Sequence, residues 1–155
     1  MPRVKFYPFN YTEIPIGPCP AFPDGRKLYR PALTAKVASP SGACSELCIV
    51  GVDSGADYCT FPESLAARIG IDLSNAPTTP GLLSTRDSIN QFAEVQITIP
   101  LDDKTPALSF SVLGCFSKAM DDCDTAVLGN CGFFDTFRVL FDHRARYFYI
   151  EAPEG

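Results

Sequence analysis

The sequence predicts an all-β barrel or sandwich with one or two short helices. Three observations carry that expectation. Many short apolar or alternating segments are bounded by turn residues. Fourteen prolines in 155 residues disfavour long helices. Only residues 62–70, PESLAARIG, carry clear helical start and stop signals.

Residues 1–29 are rich in Pro, Gly and aromatics and read as an extended arm with one short strand at 3–7. The main domain is expected over 30–151, with a short tail at 152–155. Within it, 30–38 (RPALTAKVA) alternate as a strand, PSGACS turns the chain, and 46–53 (ELCIVGVD) form a nearly continuous apolar strand. Pro62 and Glu63 open the helix, Leu65, Ala66 and Ile69 form its buried stripe, and Gly70 caps it. Residues 75–80 read as loop, and GLLST as strand-like. In FAEVQITIP, Phe92, Glu94, Gln96 and Thr98 fall on one face, with Val95, Ile97 and Ile99 on the other. DDKT is a turn signal, PALSFSVLGCF a strand and MDDCD a polar loop. TAVL is a short apolar strand running into GNCGFFDTF, a short helix or turn. FRVLFD and ARYFYIE form a hairpin across HRA.

Composition narrows the function classes. A chain of this length suits one domain around one core, and 46% hydrophobic against 20% charged residues is globular. No apolar run is long enough to cross a bilayer, and the first residues lack the apolar stretch of a signal peptide. A net charge of −5 argues against nucleic acid and against anionic membrane surfaces. Seven cysteines, an odd number without an export signal, suggest reduced thiols and a cytoplasmic location. Cys44 and Cys48 have a C-x3-C spacing, but Cys123 and Cys131 are too far apart to complete a zinc site, and His143 is the only histidine. No metal and no cofactor are expected.

The chemistry-bearing stretch is VGVDSGAD, residues 50–57. A carboxylate at the end of an apolar strand costs free energy unless it is hydrogen-bonded or used. Asp53 has two readings: an Asx-turn at a strand end, or a catalytic carboxylate on a shaped loop. Farther on, Ala126-Val127-Leu128-Gly129 repeats the form of an apolar strand ending in a turn. An apolar strand into Asp-Ser-Gly-Ala, a short helix, then a second apolar strand into Leu-Gly resembles the retropepsin-like aspartic proteases, in their bacterial single-domain form. The resemblance runs from about Arg30 to about Ile150 and includes RPAL, FPESLAARIGIDL and AVLGNCGFFDTFRVLFD.

The resemblance implies a closed retropepsin-like acid-protease barrel, a homodimer, and hydrolysis of peptide or protein substrates by an aspartic endopeptidase without cofactor. Chemistry gives the dimer independent support. The reaction needs two carboxylates sharing a proton, and this chain has one D-S-G, with Leu128 and Gly129 where a second would stand. Asp53 would therefore meet Asp53 of a second copy across a two-fold axis. Asp53, Ser54 and Gly55 form the catalytic set that the resemblance implies, with the Ser54 hydroxyl bonding across the dimer. Ala56, Asp57, Leu82, Leu83, Leu128 and Gly129 stand on the substrate side, with Leu128 and Gly129 bracing the loop from beneath. The family's flap falls at 80–92, where the tip STRDSIN is polar and Gly81 is the one glycine. An arginine that holds the Asp57 position in retroviral members is replaced here by Asn130. The resemblance also makes YFYIE, residues 147–151, a candidate dimer seam. The rival reading is a catalytically silent peptide-binding or dimerisation module on the same fold.

Overall fold

A computed structural model describes residues 3–80, 89–123 and 125–153. Twelve strands, β1 (Val4–Asn10), β2 (Thr12–Ile16), β3 (Arg26–Arg30), β4 (Ala32–Ala38), β5 (Ser45–Val52), β6 (Thr60–Pro62), β7 (Thr78–Pro80), β8 (Ile89–Ile99), β9 (Leu108–Ser117), β10 (Ala126–Leu128), β11 (Val139–Asp142) and β12 (Tyr147–Pro153), are joined by one helix, α1 (Glu63–Arg68), and a 3-10 turn at Lys118–Met120.

Six strands close a barrel in the order β4-β5-β10-β6-β9-β8, and β8 returns to β4 through Lys36↔Thr98, Val37↔Ile97 and Ala38↔Gln96. The long β8–β9 hairpin pairs from Asn90↔Ser117 to Ile99↔Leu108. The Asp102 carboxylate tightens its turn by accepting the N–H of Lys104 at 2.9 Å and of Thr105 at 2.7 Å. Alternation turns Val37, Val50, Val52, Val95, Ile97 and Ile99 inward, and Phe61, Phe116, Leu128 and Phe133 fill the interior beside them. Each such side chain gains roughly 1.5–3 kcal/mol from burial.

α1 covers one end of the barrel with Leu65 and Ala66, and Ile69 follows them into the core. Its C-terminus closes as a Schellman turn. Gly70 sits at φ +76°, its N–H donates to Ala67 O at 3.2 Å, and the Ile71 N–H donates to Ala66 O at 2.8 Å. A separate sheet, β1-β12-β11, pairs the two ends of the described chain, from Val4↔Pro153 to Asn10↔Tyr147. β2 and β3 make a two-stranded hairpin from Thr12↔Arg30 to Ile16↔Arg26.

Several elements differ from the sequence reading. The first strand extends to Asn10, and the arm supplies β2 and β3 as well. Thr78–Pro80, read as loop, pairs with Ile89–Gln91. Phe61 and Pro62 belong to β6, and α1 starts after them. For residues 132–136, read as a short helix or turn, the turn is what forms. Phe92 is buried although it shares the face of exposed Glu94, because Tyr58 lies edge-on against it with ring centres 5.2 Å apart. The strand-like GLLST segment lies outside the described residues.

Candidate active site

β5 delivers Asp53 to the surface. Val50 and Val52 point into the barrel, so alternation puts Ile49, Gly51 and Asp53 on the opposite side. β10 runs parallel to β5, with Ala126↔Val50, Val127↔Gly51 and Leu128↔Val52 in register. The two strands therefore reach the Asp53–Asp57 loop and the Gly129–Cys131 turn at the same level.

Backbone hydrogen bonds lock these turns together. Asp53 N–H donates to Leu128 O at 3.1 Å. Asn130 N–H donates to Ala56 O, and Cys131 N–H to Asp57 O, each at 2.8 Å. The Asn130 side-chain amide donates to Ser54 O at 3.1 Å. Leu128 is fully buried and Gly129 is buried beside it, so both lie beneath the loop. Gly129 is required by space: a Cβ there would stand 2.7 Å from Ala56 O and closer still to Tyr58 O.

The Asp53 carboxylate is exposed, and its Oδ1 accepts the Gly55 N–H at 2.8 Å. That bond is an Asx-turn, so the structural reading of Asp53 holds as geometry. It also fixes the carboxylate's direction while leaving Oδ2 without a hydrogen bond among the described residues. A Cβ on Gly55 would lie 3.2 Å from Oδ1, tighter than an ordinary contact. Among the described residues, no basic side chain lies within ion-pair distance of Asp53 or Asp57. Cys59, just behind the loop, is a buried thiol whose pKa burial pushes up, and its Sγ lies 3.5 Å from Cys131 O. It is a packing residue, not a nucleophile.

A cleft of about 570 Å³ opens beside Asp53, lined by Ile14 and Pro15 of β2, Arg30, Ile49, Gly51 and Val127 among others. Its walls are largely apolar, with Glu13 and Arg30 as charged members. β7 and β8 pair antiparallel through Thr78↔Gln91, Thr79↔Asn90 and Pro80↔Ile89. The positions between them, including Gly81, Leu82 and Leu83, lie outside the described residues.

The structure thus brings Asp53, Ser54, Gly55, Ala56 and Asp57 together with Leu128 and Gly129. The sequence reading missed the β2 wall of the cleft and the contribution of Tyr58. The alternation of TEIPI was the available signal for β2, obscured by the prolines around it. YFYIE lies in β12, whose edges are both taken within the chain, by β1 and by β11. Among the described residues, no three His, Cys, Asp or Glu side chains gather as a metal site. Nor, among the described residues, is any helix long and apolar enough to cross a membrane.

Neither a scan against protein-family models nor a search of curated proteins finds a match. Among solved structures, the chain is similar to the crystal structure of a retropepsin-like aspartic protease from Rickettsia conorii, at 17% sequence identity and a TM-score of 0.48 over 95% of each chain. The closed all-β barrel with its short helix rests on the strand pairing of this chain itself.

Proposed function

We propose that the chain is an aspartic endopeptidase whose reactive pair is Asp53 from each of two copies. The observation that carries this reading is the Asp53 carboxylate itself: exposed, oriented by the Gly55 N–H, without a hydrogen bond at Oδ2 among the described residues, and set on the wall of a largely apolar cleft. A lone carboxylate cannot serve as base and acid in the same step. Two facing copies share one proton, because like charges in contact cannot both ionise. The ionised Asp53 then takes a proton from a water as it attacks the scissile carbonyl, and the protonated partner donates to the carbonyl oxygen.

In this reading Ser54 ties the two loops together, and Gly55 keeps the backbone close to the reacting centre. Leu128 and Gly129 hold the loop level from below. Leu82 and Leu83 are assigned to the cover over the substrate. An extended peptide would lie beside Asp53 with side chains alternating into apolar pockets. β12 has no free edge, so association through the terminal sheet would use β1 or β11.

One observation favours a second reading, a module that binds peptides without cutting them. The Asn130 amide is engaged by Ser54 O, and the Asp57 carboxylate has no ion-pair partner among the described residues. The test is digestion of a mixed peptide library from acidic to neutral pH by wild type and Asp53→Asn, with sedimentation of both. Cleavage that disappears in the variant establishes the mechanism. A dimer without cleavage supports the binding module, and cleavage that survives the substitution excludes Asp53 as the reacting group.

A further inference from the structure

Five of the chain's 13 basic residues, Arg26, Lys27, Arg30, Arg144 and Arg146, line one cleft of about 470 Å³ on a protein of net charge −5. β3 forms one wall and the β11–β12 turn the other. The only carboxylate in ion-pair contact with these residues, among those described, is Glu13, which Lys27 holds at 2.9 Å. Glu13 is also taken by the Tyr29 hydroxyl at 3.1 Å. Glu13 also feels the Arg146 charge, and Asp142 accepts the Ala145 N–H within the turn, yet none of the four arginines makes an ion pair among the described residues, and the cleft keeps an excess of positive charge.

The cleft is built rather than incidental. The Arg146 guanidinium lies 3.6 Å from the Tyr29 ring centre, and Arg146 O accepts the Tyr11 N–H at 2.8 Å. Five consecutive residues of β3, Arg26–Arg30, line the cleft. Side chains alternate along a strand, so five in a row means that the strand presents its backbone edge. That edge is open, since β2 is the only strand paired with β3 among the described residues. An open edge flanked by cations suits an extended acidic segment, which would pair with the backbone and satisfy the guanidiniums.

Arg30 also lines the cleft beside Asp53. The next residue, Pro31, accepts the Val52 N–H at 2.8 Å, one residue before Asp53. The two clefts therefore meet at Arg30. From there to Arg26 an extended chain covers ~13 Å, about four residues.

We propose that the cationic cleft is an exosite for an acidic, extended segment of the polypeptide substrate, to one side of the bond presented to Asp53. The inference rests on the endopeptidase reading but is tested by binding as well as by turnover. The probes are two fluorescein-labelled peptides with the same apolar half, one extended by four glutamates and the other by four glutamines. With Asp53→Asn protein, anisotropy should show the glutamate probe binding roughly tenfold tighter at low salt, the advantage fading as salt rises.

Adding Arg26→Glu and Arg144→Glu should erase that advantage without weakening the glutamine probe. Both side chains are exposed, and unchanged binding of the glutamine probe shows that the variant is folded. Equal binding of the two probes, or a preference that survives charge reversal, overturns the exosite. So does an oligothymidylate that displaces the glutamate probe in an arginine-dependent way, which would assign the cleft to nucleic acid. Turnover by wild type separates the two readings. Equal kcat/KM on both probes removes the exosite and keeps the protease. Arginine-dependent preference with no cleavage of either probe removes the protease and keeps acidic-peptide recognition.

Discussion

Gly129→Ala is the sharpest test of the braced loop. Gly129 is buried, and its added Cβ would stand 2.7 Å from Ala56 O, where ordinary contacts begin at 3.4 Å. Both nearby obstacles, Ala56 and Tyr58, present backbone atoms, so no side chain can rotate away. The loop and the turn must separate by at least about 0.7 Å at Ala56 O, and by more at Tyr58 O, and close-packed interiors resist that. Overpacking of this kind costs about 1–3 kcal/mol. The displaced bonds are Asn130 N–H to Ala56 O and Cys131 N–H to Asp57 O, both 2.8 Å, and each contributes about 1 kcal/mol. A total loss of roughly 3–5 kcal/mol follows, which lowers the melting temperature by roughly 6–20 °C in a chain of this size.

The comparison variant is Gly51→Ala, whose Cβ meets only Ala126 O at 3.9 Å. That substitution should change stability by less than about 1 kcal/mol, because reduced unfolded-state freedom offsets any small packing change. Urea unfolding and thermal melts of both variants, at one fixed protein concentration, read the difference. If Gly129→Ala and Gly51→Ala melt together, the loop is not braced as described, and the account of how Asp53 is positioned fails with it.

Other substitutions separate catalysis from folding. Asp53→Asn keeps an oxygen at Oδ1 for the Gly55 N–H, so its melt should match wild type within about 0.5 kcal/mol while library cleavage falls at least ~10²-fold. A matching loss of stability would mean that the carboxylate is structural. Gly70→Ala meets nothing closer than Cys44 Sγ at 4.0 Å, so its cost is the backbone strain of φ +76°, about 1–2 kcal/mol by urea titration. A neutral result would refute the Schellman cap. Under native conditions a thiol reagent should modify exposed Cys44, Cys123 and Cys131 readily, and buried Cys59 and Cys115 only on unfolding. Burial raises the pKa of both Cys59 and Cys115 and so disfavours their thiolates, and the stability linked to their neutral thiols is complete at neutral pH. It declines as the pH climbs through the alkaline thiol range. A Cys59→Ala/Cys115→Ala variant should show a flatter alkaline decline in urea midpoint.

Local patterns carried much of the fold. The alternation of Val95, Ile97 and Ile99 gave the inner face of β8, and Leu65, Ala66 and Ile69 gave the buried side of α1. The Asp53 loop was legible because its chemistry is contiguous, from the apolar strand through Asp-Ser-Gly. Partnerships between distant segments were not legible. Nothing in AVLG states that Leu128 O will accept the Asp53 N–H, nor in TEIPI that Ile14 will wall the adjoining cleft. Phe92 illustrates the limit of periodicity: its face is set by alternation, but its burial is set by Tyr58 arriving from another strand connection. The cationic cleft was hidden for the same reason, since Arg26–Arg30 and Arg144–Arg146 meet only when β3 and the β11–β12 turn are assembled.

The pairing of β1 with β12 has a consequence for synthesis. Tyr7 and Phe9 leave the ribosome well before their register partners, Ile150 and Phe148. At about 5–20 residues per second, the ~140 residues between them impose a wait on the order of 10 s. Throughout that wait β1 lacks its strand partner, although β4 and Thr105, which it also contacts, are made before β12 is. The β1–β12 sheet therefore forms only after the barrel strands between them have been made, a long-range pairing of the slow kind.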